Sequence, residues 1–286
     1  MNYEKFKEEF AQRFRDYLPK PYNTWTLKLC TVPKVNGFVE AINLLPENEA
    51  AAVPNLYVSD LYEAYQFYGD MDEMLKRAAE AFVIGMKYTR QAAQQLDLED
   101  PRGHIVYMLI NTEMNGELLK DVPHRSFLDL TIIYRLIVDC PGEGFNSAII
   151  DHRMAEQYQL DEEELFRIAA ENTPRLMPPI VESISESFYL LTNRQRTLGA
   201  SALLYQDILE CAAEKMGADL FLLPSSIHEV FLIPDAGQNR AMMRRTVVEA
   251  NQSVVKKSEV LSDNVYHYCR ATGALTVASD SENRIS

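Results

Sequence analysis

Ala218-Asp219-Leu220-Phe221-Leu222-Leu223-Pro224-Ser225-Ser226-Ile227-His228-Glu229-Val230-Phe231-Leu232-Ile233-Pro234-Asp235 holds two wholly apolar runs, residues 220–223 and 230–233. A short Pro-Ser-Ser-Ile turn separates them. Runs of four apolar residues bounded by turn formers read as buried strands, and two in succession as a hairpin. The ionisable side chains inside this hairpin are those of His228 and Glu229, at the turn end of its second strand. A regular strand sends them to opposite faces, so they cannot work there as one acid–base pair. The stretch anchors the fold and offers a first polar site, but names no reaction.

Working outward, residues 188–192 read as a strand, and residues 201–216 as a helix that Gly217 ends. A helix over 239–254 and a hairpin around Thr272-Gly273 follow, and the polar tail 279–286 reads as disordered. Upstream, Pro174, Pro178 and Pro179 interrupt residues 172–186 and suggest a junction. Before it, Tyr3, Phe6, Phe10, Phe14 and Tyr17 recur at helical intervals until Pro19 and Pro21. Asn36-Gly37 centres a hairpin between residues 25–32 and 38–44. Residues 59–96 read as one long helix, with Asp70 and Glu73 at capping-box spacing and a stripe of Met71, Met74, Leu75, Ala78, Ala81, Phe82 and Met86. Strands are predicted at 105–110, 128–138 and 145–150, with a turn at Pro141-Gly142. A helix capped by Asp161 and Glu164 is predicted to stop before Pro174.

Strands arriving as hairpins between helices give an α+β class rather than a doubly wound parallel sheet. The predicted division is an amino-terminal α+β unit over 1–172, a proline-containing junction over 173–187, and a carboxy-terminal α+β unit over 188–278. Residues 106–112 (Val-Tyr-Met-Leu-Ile-Asn-Thr) faintly echo residues 188–194 (Phe-Tyr-Leu-Leu-Thr-Asn-Arg).

The 286 residues carry a formal charge of −14, from 42 acidic and 28 basic side chains, with 47% hydrophobic residues. Phosphate-backbone binding needs clustered Lys and Arg, so no direct nucleic-acid binding is expected. The amino terminus is charged from the start and no long uncharged apolar run occurs, so neither a signal core nor a membrane span is predicted. Cys30, Cys140, Cys211 and Cys269 lie far apart, which excludes a disulfide framework or zinc ribbon and fits a cytoplasmic location.

Several runs together carry a family resemblance. They are Leu118-Leu119-Lys120-Asp121-Val122-Pro123-His124-Arg125, Glu171-Asn172-Thr173-Pro174-Arg175-Leu176, Tyr189-Leu190-Leu191-Thr192-Asn193, residues 223–230 of the hairpin, and Leu261-Ser262-Asp263-Asn264-Val265-Tyr266. In this order the chain resembles, over nearly its full length, an uncharacterised domain-of-unknown-function family of anaerobic Gram-positive bacteria. The carboxy-terminal half also loosely resembles a second uncharacterised, bacillary family with a strand–helix–strand–strand pattern. Neither resemblance implies an activity, a cofactor or a partner.

No catalytic motif organises the polar residues. A Gly-x-Ser-x-Gly elbow, a Walker loop and a His-Glu-x-x-His helix are all absent. Scattered donors such as His267, Cys269, Asp151, His152 and His124 match no common metal spacing, so neither metal nor cofactor is predicted. His124-Arg125, just before an apolar strand, forms a second polar interruption. With His228 and Glu229 it makes the candidate ligand-binding set, Arg125 being suited to an anion or a peptide carboxylate. The leading reading is a non-catalytic cytoplasmic binding or interaction protein with a protein or small-molecule partner. The alternatives are a hydrolase-like enzyme with a polar site near His228 and His124, and an acidic inhibitor that mimics DNA.

Overall fold

The aromatic spacing of the first residues folds as predicted. Helix α1 (Tyr3–Arg13) is capped by the Asn2 side chain and tightens into a 3-10 turn at Phe14–Tyr17, so Phe6, Phe10 and Phe14 form one fully buried face. Strands β1 (Thr26–Lys34) and β2 (Gly37–Leu45) make the predicted hairpin, with Asn36 taking the left-handed φ of 64° that asparagine tolerates. The short β3 (Leu56–Tyr57) joins the other side of β2. The single predicted helix over 59–96 is instead two, α2 (Val58–Tyr68) and α3 (Met71–Leu96). Gly69, at φ 68°, ends the first, and Asp70 starts the second by accepting the Asp72 and Glu73 amides. Both pack into one core with the α1 aromatics, α2 through Val58, Tyr62 and Tyr65 and α3 through Met74, Leu75, Ala78 and Phe82, while Ala81 faces outward and Ala79 is buried in its place. Each fully buried aromatic or aliphatic side chain stabilises such a core by roughly 1.5–3 kcal/mol.

The structure is a computed structural model that describes residues 1–46, 53–96, 100–138 and 146–278. Cys140, the Pro141-Gly142 turn and the tail 279–286 lie outside the described residues. The described chain divides into two compact units between residues 96 and 100.

In the second unit, β4 (Ile105–Asn111), β5 (His124–Phe127) and β6 (Leu130–Val138) form a sheet in the order β4-β6-β5, with β7 (Asn146–Ile149) pairing farther along β6. Helices α4 (His152–Gln157) and α5 (Glu162–Leu176) follow, α5 starting at the predicted Asp161–Glu164 capping box. A six-stranded antiparallel sheet completes the unit. It contains β8 (Pro179–Ser185), β9 (Phe188–Asn193), β10 (Leu220–Leu223), β11 (Val230–Pro234), β12 (Tyr266–Cys269) and β13 (Ala274–Val277), in the order β13-β12-β10-β11-β9-β8. The predicted helix over 201–216 resolves into a 3-10 turn (Gly199–Leu204) and α6 (Ile208–Met216), ended by Gly217 at φ 72°. Helix α7 (Arg240–Ser253) starts from the Asn239 cap. The decisive hairpin is present, with Leu220 opposite Pro234 and Leu223 opposite Phe231, and β10 wholly buried. The architecture is α+β with antiparallel sheets throughout.

The junction predicted over 173–187 lies inside the second unit, for reasons of hydrogen bonding. Asn172 Nδ2 donates to the carbonyls of Arg102 and Ile105, at 2.6 and 3.0 Å. The hydroxyls of Thr173 and Ser201 accept the amides of Tyr107 and Leu109, at 3.1 and 3.2 Å. Those two amides lie on the edge of β4 that no strand covers, so side chains from either side of the prolines complete this sheet. Pro174 therefore sits inside the last turn of α5 rather than stopping it before residue 171. Pro179 opens β8, an edge strand, where the missing amide breaks no ladder.

The echo between residues 106–112 and 188–194 has a topological counterpart. β4-β6-β5 and β9-β11-β10 share one plan: a strand, a crossover, then a hairpin whose second strand pairs antiparallel with the first. Asn111 and Asn193 end the equivalent strands, and each side-chain carbonyl accepts an amide of the following turn, from Met114 and Thr197.

Replacing Thr173 with Val keeps its shape but leaves the Tyr107 amide unpaired in a buried setting. We expect a loss of about 1–3 kcal/mol in chemical denaturation. Hydrogen exchange at Tyr107 should quicken selectively, and at Leu109 in Ser201→Ala; unchanged protection in both would show that β4's edge needs no side-chain caps.

Candidate functional site

His228 and Glu229 precede β11 rather than lying within it, so strand alternation does not govern them. The His228 ring is fixed by its neighbours. Nδ1 accepts the Leu198 amide at 3.2 Å, and Nε2 faces Glu259 at 3.9 Å. The Ser226 hydroxyl accepts the backbone amide of His228 and does not address the ring, so no serine–histidine pair forms. Leu198 holds a left-handed φ of 55°, and the next residue, Gly199, passes so close to Thr192 Oγ1 and the His228 carbonyl that a Cβ would collide with both. His228 acts here as the latch of a tightly folded loop.

His124 and Arg125 precede the apolar strand β6 as predicted, but they lie in a short strand of their own, β5, and alternate across it. The Arg125 guanidinium makes a two-pronged bond to Glu162, at 3.0 Å on each oxygen, reaches Glu163, and lies 4.1 Å over the Phe166 ring. Tyr134 also donates to Glu162. Burial opposes the charge on Glu162, yet the bonds from Arg125 and Tyr134 outweigh it and hold its carboxyl below the usual range. Arg125 is thus engaged by carboxylates of its own chain. In the shared strand plan β5 corresponds to β10, whereas His228 precedes β11, so the two histidines do not hold equivalent positions, and among the described residues no hydrogen bond or ion pair joins the two pairs.

A different set converges beside His124. An open cleft of about 370 Å³ lies between β5, α4 and the start of α5, with Pro123, Ala155 and Leu160 as its apolar lining and His124, His152 and Glu156 among its polar groups. His124 Nδ1 lies 2.9 Å from the Val122 carbonyl. Helix α4, which presents His152 and Glu156 four residues apart, was missed by sequence reasoning because six residues are too few for a periodic stripe. The Asp151 cap was the available signal.

Other polar clusters are internally complete. Asp129, in the β5–β6 turn, accepts from Ser262, Asn264 and Tyr266, at 2.6, 3.0 and 2.6 Å. His267 faces Asp235 at 3.2 Å. The Thr272 hydroxyl and the Thr272 and Ala271 amides draw the Cys269 thiol below its ordinary value. Among the described residues no three His, Cys, Asp or Glu side chains are grouped so as to hold a metal ion. No described helix is long and apolar enough to cross a membrane.

The amino-terminal unit carries apolar surface instead. A groove of about 420 Å³ runs along α3, lined by Tyr17, Pro19, Ala79, Val83 and Ile84 with Lys76 and Glu80 at its edge. Ile84 is 54% exposed and Tyr88, one turn on, 45%. On the other flank of α3 a second groove, of about 380 Å³, reaches Tyr68, whose neighbour Phe67 is 83% exposed.

The chain belongs to a family of unknown function, DUF5688, whose model matches residues 3–188 and 182–270. No curated protein and no solved structure matches it.

Two measurements test these packing arguments. Gly199→Ala should cost about 1–3 kcal/mol by overpacking against backbone, whereas Gly69→Ala meets no neighbour and strains only φ. Burial, reinforced by Asp129, raises the Tyr266 hydroxyl above its ordinary value of 10.0, and burial likewise raises Tyr107 and Tyr205. A raised folded-state value gives stability that is complete below about pH 10 and is lost as pH climbs beyond it. Tyrosinate absorbance and circular dichroism followed together should therefore show these tyrosines ionising only as the fold is lost. Full ionisation with an intact fold would refute their burial.

Proposed function

We propose that the protein is a non-catalytic binding protein of the cytoplasm that recognises an apolar segment of a protein partner along α3. The observation that supports this reading most is the groove beside Ile84. It is open, mainly apolar, and flanked by large exposed side chains that a solitary surface would not favour. Of the groups a hydrolase reading would use, His228 and Arg125 are held by internal bonds. The three described cysteines, Cys30, Cys211 and Cys269, are free thiols, which accords with a reducing compartment.

Selection of displayed peptides against the purified protein tests the reading. Selected peptides should carry apolar anchors at helical or alternating spacing. Their binding should weaken at least roughly tenfold in Ile84→Glu, a loss of about 1.4 kcal/mol. It should survive in Phe38→Glu, which alters an equally exposed side chain outside the groove. Equal binding by both variants would remove the α3 site. Turnover of an ester, phosphoester or peptide library that His228→Ala abolished in a folded protein would replace the binding reading with the enzyme.

A further inference from the structure

We infer that the cleft between β5, α4 and α5 binds a small primary amine in its ammonium form, independently of the proposed role of α3. The argument starts from hydrogen-bond capacity. A carbonyl only accepts, so the 2.9 Å contact with Val122 O places the neutral ring's proton on His124 Nδ1 and leaves Nε2 as a bare acceptor. The side chains of His152 and Glu156 make no hydrogen bond or ion pair among the described residues. Their spacing puts both on one flank of α4. The cleft thus offers acceptors that the fold does not use, unlike His228 Nδ1 and the Asp129 carboxylate, whose acceptors are taken up within the chain.

Charge then decides the ligand. Glu156 is joined at the rim by Asp161 and Glu162. The nearby cations are already matched, Arg125 between Glu162 and Glu163 and Arg153 with Asp151. The positive end of α5 is met by its own Asp161–Glu164 box, so it does not offset this field. An anion entering here would face the Glu156 carboxylate, which has no cation partner among the described residues, and would find no unpaired cation, whereas an ammonium carries three donors and no acceptor, which complements Glu156 and the bare His124 nitrogen. The floor of Pro123, Ala155 and Leu160 is buried and apolar, suited to a short hydrocarbon body. At about 370 Å³ the cleft is near the lower end of ligand sites, which run from ~300 to 1,000 Å³. An amine the size of a decarboxylated amino acid fits that space.

Calorimetry and NMR on the full chain, with phenethylamine and 3-phenylpropanoate as probes of equal body and opposite charge, test the inference. Phenethylamine should bind saturably with a Kd below ~1 mM, shift the His124 and His152 ring signals, and bind at least roughly tenfold more weakly to Glu156→Lys. Glu156 is exposed, so the variant should melt as the parent does; Glu156→Gln serves if it does not. Equal or tighter binding of 3-phenylpropanoate, amine binding indifferent to both Glu156 variants, or no amine binding at ~10 mM, well above the affinity argued, would each overturn it. None of these outcomes bears on peptide binding at Ile84.

Discussion

The carboxylate of Asp129 is the contact on which the second unit most depends. It sits in the turn between β5 and β6, yet its partners, Ser262, Asn264 and Tyr266, lie more than 130 positions later in the chain. Ser262 and Tyr266 are wholly buried. Without Asp129 their hydroxyls would be stranded away from water, at a cost of about 1–3 kcal/mol for each unsatisfied group. Tyr266 is also the residue with which β12 begins its pairing to β10, opposite Leu222. The same side chain therefore ties the turn of the smaller sheet to the first rung of the larger one. Asn111, donating to the Leu261 carbonyl, adds a second tie along the same segment.

The free edge of β4 poses a related problem with a different solution. Its amides at Tyr107 and Leu109 meet hydroxyls rather than a neighbouring strand. This closes the sheet without lengthening it and leaves no edge there for another chain to pair with. It also explains why a proline-rich stretch fails as a linker. Thr173, immediately before Pro174, and Ser201, well beyond Pro179, are the residues that cap β4.

Local signals were legible in the sequence. The apolar runs of β10 and β11, the Asp161 box, the Asn36 turn, the glycines at 217 and 273 and the aromatic face of α1 each act within a few residues. Each appears where the pattern places it. The breaks that were misjudged share one cause. Gly69 splits a segment that reads as one helix, and Pro174 is tolerated because Asn172 and Thr173 fasten the last turn of α5 from outside. Periodicity records burial, but not where the backbone changes direction, and a proline's meaning depends on whether its missing amide would have had a partner. The echo at Asn111 and Asn193 carried more than its length suggested, since each asparagine ends the first strand of the same three-strand plan and accepts an amide from the segment that follows.

The site residues show why polar interruptions of apolar sequence mislead. A histidine or arginine embedded among apolar residues is conspicuous because its surroundings are dry, and a dry setting is where a polar group must find a partner within the fold. His228 meets Leu198, Arg125 meets Glu162, and each is thereby tied to holding the structure. Groups left over for a ligand belong instead to half-open surfaces, where water can stand in until something better arrives. His152 and Glu156 are of that kind, on a helix too short to leave a pattern, and they become neighbours of His124 only once β5 and α4 are folded. Recognition in this chain would therefore rest on unmet hydrogen-bonding capacity and exposed apolar area, two quantities that a linear sequence does not display.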